Sequence, residues 1–292
     1  MEYLVDSHCH LHDRQFFSEE EAEGILKRSA AAGVKKIICI GTDPEDSMAA
    51  CQFAAKYPGV YWTYGVHPEE WTTVAKMASL GPRSAGPSTL RVVRVPRGGL
   101  PRAAAATSRA AALRIPSIKP FLATPPVAIG EVGLDYHTDG YNREAQIRLF
   151  EEMLQLALDN NLPLSFHVRN AFPDFFAVVG NFPGVRGVVH SFTDSKKVLR
   201  RILEETDFYV GVNGLATYST LPTPPLERIL LETDAPFLTP VPFRGKINES
   251  SYILNIAEWL SGKLEVSLDE IRKETTKNAE TLFKINDNTF IQ

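Results

Sequence analysis

Short apolar runs alternate with amphipathic segments along most of this chain. Their nearly continuous apolar character is typical of strands buried on both faces of a sheet. The predicted strands are 2–6, 35–41, 60–66, 127–133, 162–168, 185–192, 208–212 and 228–234. Helices are predicted over 18–33, 43–57 and 142–161, with Ser18 as the first N-cap and Pro44 in the first turn of the second helix.

Strands that alternate with helices favour parallel pairing through βαβ units. Eight such strands in 292 residues predict an α/β fold of the (β/α)8 TIM-barrel type, with 1–292 as a single domain. A doubly wound open sheet is the alternative that strand number alone leaves open.

Two regions interrupt this alternation. Residues 81–126 contain seven arginines, one lysine, eight prolines and no acidic residue, which disfavours a packed core or a long helix. We interpret this segment as an atypical basic insertion after strand 3: a phosphate-binding arm, a disordered insertion or the product of an altered reading frame. The three prolines of 213–228 predict a shortened connection before strand 8.

The bulk properties exclude several classes of protein. A net charge of −4 gives no overall indication of nucleic-acid or membrane binding. Three sparse cysteines favour a reducing compartment over a disulfide framework. The amino terminus lacks a secretory pattern, and no apolar run approaches the roughly 20 residues that span a bilayer. We therefore expect a cytoplasmic protein, a monomer with no membrane and no stable protein partner.

Histidines and carboxylates recur at the ends of the predicted strands. Each alone could be a helix cap or a satisfied polar group. In a barrel, however, the carboxyl ends of all strands share the face where active sites lie. His8 and His10 are two residues apart and therefore point to the same side. The residues expected to converge are His8, His10, Glu131, His167, His190 and Asp234.

This set of side chains predicts a metal centre. A buried carboxylate is costly unless it is paired or coordinates a cation. Six ligands exceed what one tetrahedral zinc needs, and they suit two divalent ions about 3.5–4 Å apart with Glu131 as the bridge. Mixed imidazole and carboxylate ligands are compatible with Zn, Mn or Mg. His12 is expected to be a surface or outer-sphere histidine.

Several ordered motifs resemble the TatD family of metal-dependent deoxyribonucleases, which have amidohydrolase-like barrels. The resemblance runs from the amino terminus to about residue 80 and from residue 127 to near the carboxyl terminus. It implies an enzyme that cleaves phosphodiester bonds with DNA as its substrate. The motifs are "DSHCHLHD", "GVHPEE", "AIGEVGLDYH", "SFHVRNAF", "VVHSF", "LLETDAPFLTP" and "PFRGKINES".

The resemblance also implies roles for single residues. His8 and His10 would bind one metal ion, His167 and His190 the second, and Glu131 would bridge them. Asp234 would ligate a metal ion, orient the attacking water and act as catalytic acid and base.

Four further positions match the family motifs with less defined roles. His67 would contact a substrate phosphate or have a structural role. Arg169 and Arg244 match basic positions, with buried salt bridges as the alternative, and Glu232 would lie outside the ligand shell.

Two rival functions remain open at this point. The first is an amide or ester hydrolase of the same barrel superfamily, because two metal ions do not by themselves select phosphorus over carbon. The second is a catalytically weakened metal-binding scaffold with the basic segment as a nucleic-acid tether. The retained Asp234 argues against the second.

Overall fold

The computed structural model describes residues 3–71 and 124–292. Its eight strands form one sheet in the order β1 to β8, and every pair of sequential neighbours is parallel. This topology confirms the predicted (β/α)8 barrel. The strands are β1 Leu4–Cys9, β2 Val34–Cys39, β3 Val60–Tyr64, β4 Ala128–Asp135, β5 Leu164–Arg169, β6 Gly187–Val189, β7 Tyr209–Val212 and β8 Ile229–Leu231.

Helices follow most strands and cover the outside of the sheet. Ser18 caps the first helix in a capping box with Glu21, and Pro44 begins the second, as predicted. Between β7 and β8 lie only two short 3-10 helices, Gly214–Thr217 and Leu226–Arg228, which confirms the shortened connection. The α-helices are α1 Glu19–Ala31, α2 Pro44–Ala54, α3 Arg143–Asn160, α4 Phe172–Val179, α5 Lys196–Glu205, α6 Ile253–Leu264 and α7 Leu268–Phe283.

Hydrogen bonds tie the carboxyl end of β8 to β1 and nearly close the barrel. The Ser7 hydroxyl donates to the Leu231 carbonyl at 2.9 Å. Just after β8, the backbone N–H of Asp234 donates to the His8 carbonyl of β1 at 2.8 Å, and the Ala235 carbonyl accepts from the backbone N–H of His10 at 2.7 Å. The segment after the last strand is thereby held beside the first histidine pair.

A buried aromatic cluster supports β5, the strand that carries His167. The Phe166 ring contacts three other phenylalanine rings, those of Phe150, Phe175 and Phe208, at centroid distances of 6.0, 5.2 and 4.9 Å. All four rings are removed from water. Such close packing leaves little freedom for the strand to shift and so stabilises the position of the histidine that follows.

Two strands extend further than the sequence predicted. β4 runs to Asp135 and β5 to Arg169, so Glu131 and His167 lie within their strands, and their predicted place at strand ends is wrong. The β4–β5 register shifts just before Val132. Such irregularities redirect side chains near functional sites, which is why a simple strand pattern misplaced the boundary.

Some predictions lie outside the described residues. The basic insertion falls there except for its last three positions, and the single-domain boundary 1–292 stays a prediction. Within the described ranges, none of the helices combines the length and apolar character needed to cross a membrane.

The glutamate at position 152 of α3 gives a pH-dependent stability prediction. Burial raises the pKa of Glu152 from its ordinary 4.5 to about 7. The unfolded chain releases this proton at lower pH than the folded chain, so stability falls as pH rises from 4.5 to 7. We expect Glu152→Gln to raise the free energy of unfolding by about 1 kcal/mol at pH 8 and by much less at pH 5. This value is smaller than the full pKa shift implies, because Glu152 is partly exposed and water screens its charge.

Urea denaturation at pH 5 and pH 8 measures this difference. Glu204→Gln, at an exposed position of α5, is the matched control and should not change the free energy of unfolding at either pH. Equal stabilisation by Glu152→Gln at both pH values would show that the effect is not due to titration of this carboxyl group.

Candidate metal centre

Glu131 lies between two pairs of histidines at the carboxyl face of the barrel. Its Oε1 atom is 2.7 Å from Nδ1 of His167 and 2.8 Å from Nε2 of His190. Its Oε2 atom is 3.5 Å from Nε2 of His8 and 3.9 Å from Nε2 of His10. The two oxygens of one carboxylate thus face different histidine pairs, as a bridging ligand requires.

Asp234 completes the group beside the first histidine pair. Its Oδ1 atom is 3.5 Å from Nε2 of His8 and 3.6 Å from Nε2 of His10. Its backbone has φ of 58°, a left-handed conformation uncommon for non-glycine residues. The structure therefore brings all six predicted ligands together, although they come from five strands or the segments that directly follow them.

The ring nitrogens of the first pair suit a cation. Nδ1 of His10 donates to the Ile40 carbonyl at 3.1 Å, so its Nε2 keeps the lone pair that a metal ion needs. Nε2 of His8 is buried and makes no hydrogen bond, although two carboxylate groups face it. A buried polar atom without a partner is costly, and a cation between these groups would accept the lone pair of an unprotonated Nε2. The residues present fit a metal ion.

Further carboxylates lie behind the second pair. Nε2 of His167 is 2.8 Å from Oδ2 of Asp135, which leaves Nδ1 directed at Glu131. Nδ1 of His190 is 3.8 Å from Oε1 of Glu232. Asp135, at hydrogen-bond distance, orients the His167 imidazole and raises its basicity, whereas the Glu232 oxygen is too far from His190 for a hydrogen bond. Asp135 was missed in the sequence, although its place four residues after Glu131 on one strand puts both on the same side.

The electrostatics of the centre hold two of the predicted ligands, His8 and Glu131, in metal-binding form. Burial lowers the pKa of His8 to about 4, so this imidazole is neutral at pH 7. Burial acts to raise the pKa of Glu131, but the charge of His190 and hydrogen bonds from His167 and His190 outweigh it and hold the pKa well below its ordinary range.

The pKa of His190 is raised, in contrast to that of His8. Burial acts to lower its pKa, but Glu131 outweighs that effect and raises the pKa to about 9. Without a cation the imidazole is therefore protonated at pH 7, and cation binding there releases a proton.

His67 lies at the edge of the centre in a form that favours donation. The backbone N–H of Glu69 donates to Nδ1 of His67 at 3.3 Å, so the ring proton is on Nε2. That nitrogen is 3.7 Å from Oε1 of Glu131. Although His67, Glu131 and His167 are close enough to share an ion, a protonated Nε2 is a hydrogen-bond donor and not a ligand.

The remaining sequence candidates differ in burial. His12 is only 1% exposed and its Nε2 is 2.9 Å from Oδ1 of Asp46, so the expectation of a surface position is wrong. Its contact with Asp46, in α2, joins positions 34 residues apart, which a local pattern did not indicate. Arg169 and Arg244 are both exposed, and the alternative of buried salt bridges is wrong for each.

Removal of the charge on Asp135 tests its role. We expect Asp135→Asn to weaken metal binding about 10- to 100-fold, because the amide orients and polarises His167 less strongly. Competition with a chromophoric chelator measures the affinity. Asp139→Asn, in the exposed loop just after β4, is the control and should bind as the parent does. Unchanged affinity in Asp135→Asn would remove this residue from the centre.

A family model matches nearly the whole of this chain. The model described as "TatD related DNase" matches residues 5–284, nearly the whole chain. The chain belongs to the TatD family. The resemblance inferred from the ordered motifs is thereby confirmed, and with it the assignment to the metal-dependent hydrolases of this family.

Individual TatD relatives align with this chain over most of their length. The chain is 31% identical over 294 residues to "Uncharacterized metal-dependent hydrolase YabD" of Bacillus subtilis, covering 97% of this chain and 100% of the relative. It is 31% identical over 296 residues to "Deoxyribonuclease Tat-D" of Schizosaccharomyces pombe, covering 89% of this chain and 86% of the relative. The crystal structure of YJJV, a TatD homologue from Escherichia coli, has a TM-score of 0.72 at 25% identity. The match covers 97% of this chain and 98% of YJJV.

Proposed function

We propose that this TatD-family protein is a metal-dependent deoxyribonuclease that hydrolyses the phosphodiester bonds of DNA. The observation that carries the proposal is the division of the Glu131 oxygens between two histidine pairs. This arrangement suits two divalent cations, as phosphodiester hydrolysis commonly uses. The name of the Schizosaccharomyces pombe relative supports DNA as the substrate.

The two cation positions share Glu131. His8, His10 and Asp234 would hold one ion, and His167 and His190 the other. These donors are compatible with Zn, Mn or Mg. When bound, the ions supply positive charge to the phosphate and lower the pKa of a nearby water molecule.

Asp234 is the residue that moves the proton. Burial acts to raise its pKa, but interactions with the nearby imidazoles of His10, His8 and His190 outweigh it and lower the pKa, so the carboxylate is ionised. Its side chain keeps 13% exposure, enough for water to reach it. Asp234 accepts the proton of the attacking water and returns it to the leaving oxygen of DNA.

His67 positions the phosphate in this proposal. Burial lowers its pKa to about 4, so the ring is neutral and donates through Nε2–H. A neutral donor beside the ligands holds a phosphate oxygen without repelling the cations. The residue thus contributes to substrate binding and does not move the proton.

Metal analysis combined with hydrolysis assays tests the proposal. Purified protein is analysed for bound metal and assayed on single-stranded DNA and on a generic carboxylic ester, with and without chelator. Release of nucleotides that chelator abolishes and added metal restores is the expected result. Turnover of the ester without release of nucleotides would instead support the amide or ester hydrolase.

A further inference from the structure

Two phenylalanine rings stand exposed at the rim of the metal centre. Phe16 is 42% exposed and Phe237 is 47% exposed. Their centroids are 5.3 Å apart in an edge-to-face contact, and the Phe237 ring is 6.4 Å from that of the ligand His10. An aromatic surface open to solvent is thus directly adjacent to the predicted metal ligand His10.

The backbone of Phe237 is firmly held despite the exposure of its ring. Its N–H donates to the Asp234 carbonyl at 2.8 Å, and its carbonyl accepts from the Asn248 side chain at 2.6 Å. The same Asn248 amide donates to the Thr233 carbonyl at 2.8 Å. The backbone that carries the ring therefore has a defined position relative to the proposed acid and base, as a binding subsite requires.

The charge of the surrounding segment favours a polyanion. Residues 235–248 include Arg244 and Lys246 and no acidic residue, although the whole chain has a net charge of −4. Both cationic side chains are exposed, and the Arg244 guanidinium lies 4.0 Å from the centre of the Tyr218 ring. Aromatic rings beside positive charge are the combination that binds single-stranded nucleic acids, whose bases stack while their phosphates pair with cations.

We propose that Phe237 and Phe16 form a base-binding subsite, on which a nucleobase next to the hydrolysed phosphodiester stacks. This inference rests on the proposed nuclease function and adds the part of the substrate that the metal ligands do not contact. The subsite requires an unpaired base, because a base within a duplex has both faces covered by its neighbours.

Conservative substitutions combined with a base-free substrate test this subsite. The metal-loaded full chain is assayed on a single-stranded DNA oligomer and on an abasic oligomer of equal length. We expect Phe237→Leu and Phe16→Leu each to raise KM for the base-containing oligomer roughly 5- to 100-fold, the effect of losing one base–aromatic stack. Both variants should leave kcat/KM for the abasic oligomer unchanged, and Phe237→Trp should retain the parental KM.

Controls separate this subsite from other causes. Phe182→Leu alters a partly exposed phenylalanine just before β6, at the opposite end of the barrel, and should match the parent on both oligomers. Equal losses on both oligomers would indicate a structural role for the rings and overturn the proposal. A change in sedimentation coefficient without a change in KM would assign the surface to a second copy of the chain.

The same assays distinguish a failure of the nuclease proposal from a failure of the base-binding subsite alone. A parent protein that cleaves neither oligomer at any metal concentration removes both proposals. If the parent cleaves both oligomers and both Leu variants have the parental KM, only the proposal of a base-binding subsite is wrong.

Discussion

Asp234→Asn is expected to reduce the rate of DNA cleavage about 10²- to 10⁴-fold at saturating metal. The amide keeps the size of the side chain but cannot accept the proton of the attacking water. Its neutral oxygen also faces His8 and His10 without the charge that the carboxylate supplies. Single-turnover cleavage of labelled single-stranded DNA measures the rate.

Saturation with metal is essential in this experiment, because the amide also weakens the first cation position. Asp207→Asn, at an exposed site before β7, is the matched control and should cleave at the parental rate. Circular dichroism establishes that the variant is folded. An Asp234→Asn protein that cleaves as fast as the parent would exclude Asp234 as acid and base and require another group in that role.

Glu131→Gln is expected to remove most of the bound metal and with it the activity. A neutral amide cannot offer two anionic oxygens to two cations, so both positions lose a ligand. The loss of affinity should exceed the roughly 10- to 100-fold that follows loss of an outer carboxylate. Metal content after dialysis, measured by plasma mass spectrometry, gives the number of ions retained per chain.

Thermal unfolding provides an independent measure of the same change. A cation that binds only the folded chain stabilises it by about 2.7 kcal/mol at 100 times its Kd. The parent should therefore melt at higher temperature with added metal and at lower temperature with chelator, whereas Glu131→Gln should respond little to either. Glu204→Gln should respond as the parent does. A Glu131→Gln protein with full metal content would contradict a bridging role.

The contrast between Asp135 and Glu232 illustrates the limits of motif reading. Glu232 is two residues from Asp234 within one motif, so the resemblance drew attention to it. Asp135 also lies within a quoted motif, "AIGEVGLDYH", but the predicted strand ended at residue 133, and Asp135 was not considered as a site residue. Its 2.8 Å contact with His167 depends on the pairing of β4 with β5, a long-range feature.

Phe16 and Phe237 show a second limit. The sequence separates them by more than two hundred positions, and both are ordinary apolar residues in a chain with 16 phenylalanines. Hydrophobic patterns predict that such rings are buried. Their exposure beside a ligand follows from the closure of the barrel, which brings the segment after β8 onto the segment after β1.

By itself, the sequence determined the alternation of strands and helices, the barrel class, the family and the six candidate ligands. Those features depend on local apolar periodicity, on residue chemistry near the carboxyl ends of strands and on ordered motifs, all of which neighbouring positions encode. The tertiary structure alone decided how the Glu131 oxygens divide between the histidine pairs, which nitrogen of each ring is available, and which carboxylates lie behind them. Such contacts join distant strands and depend on distances of a few ångströms, which strand register and barrel closure set and no local pattern contains.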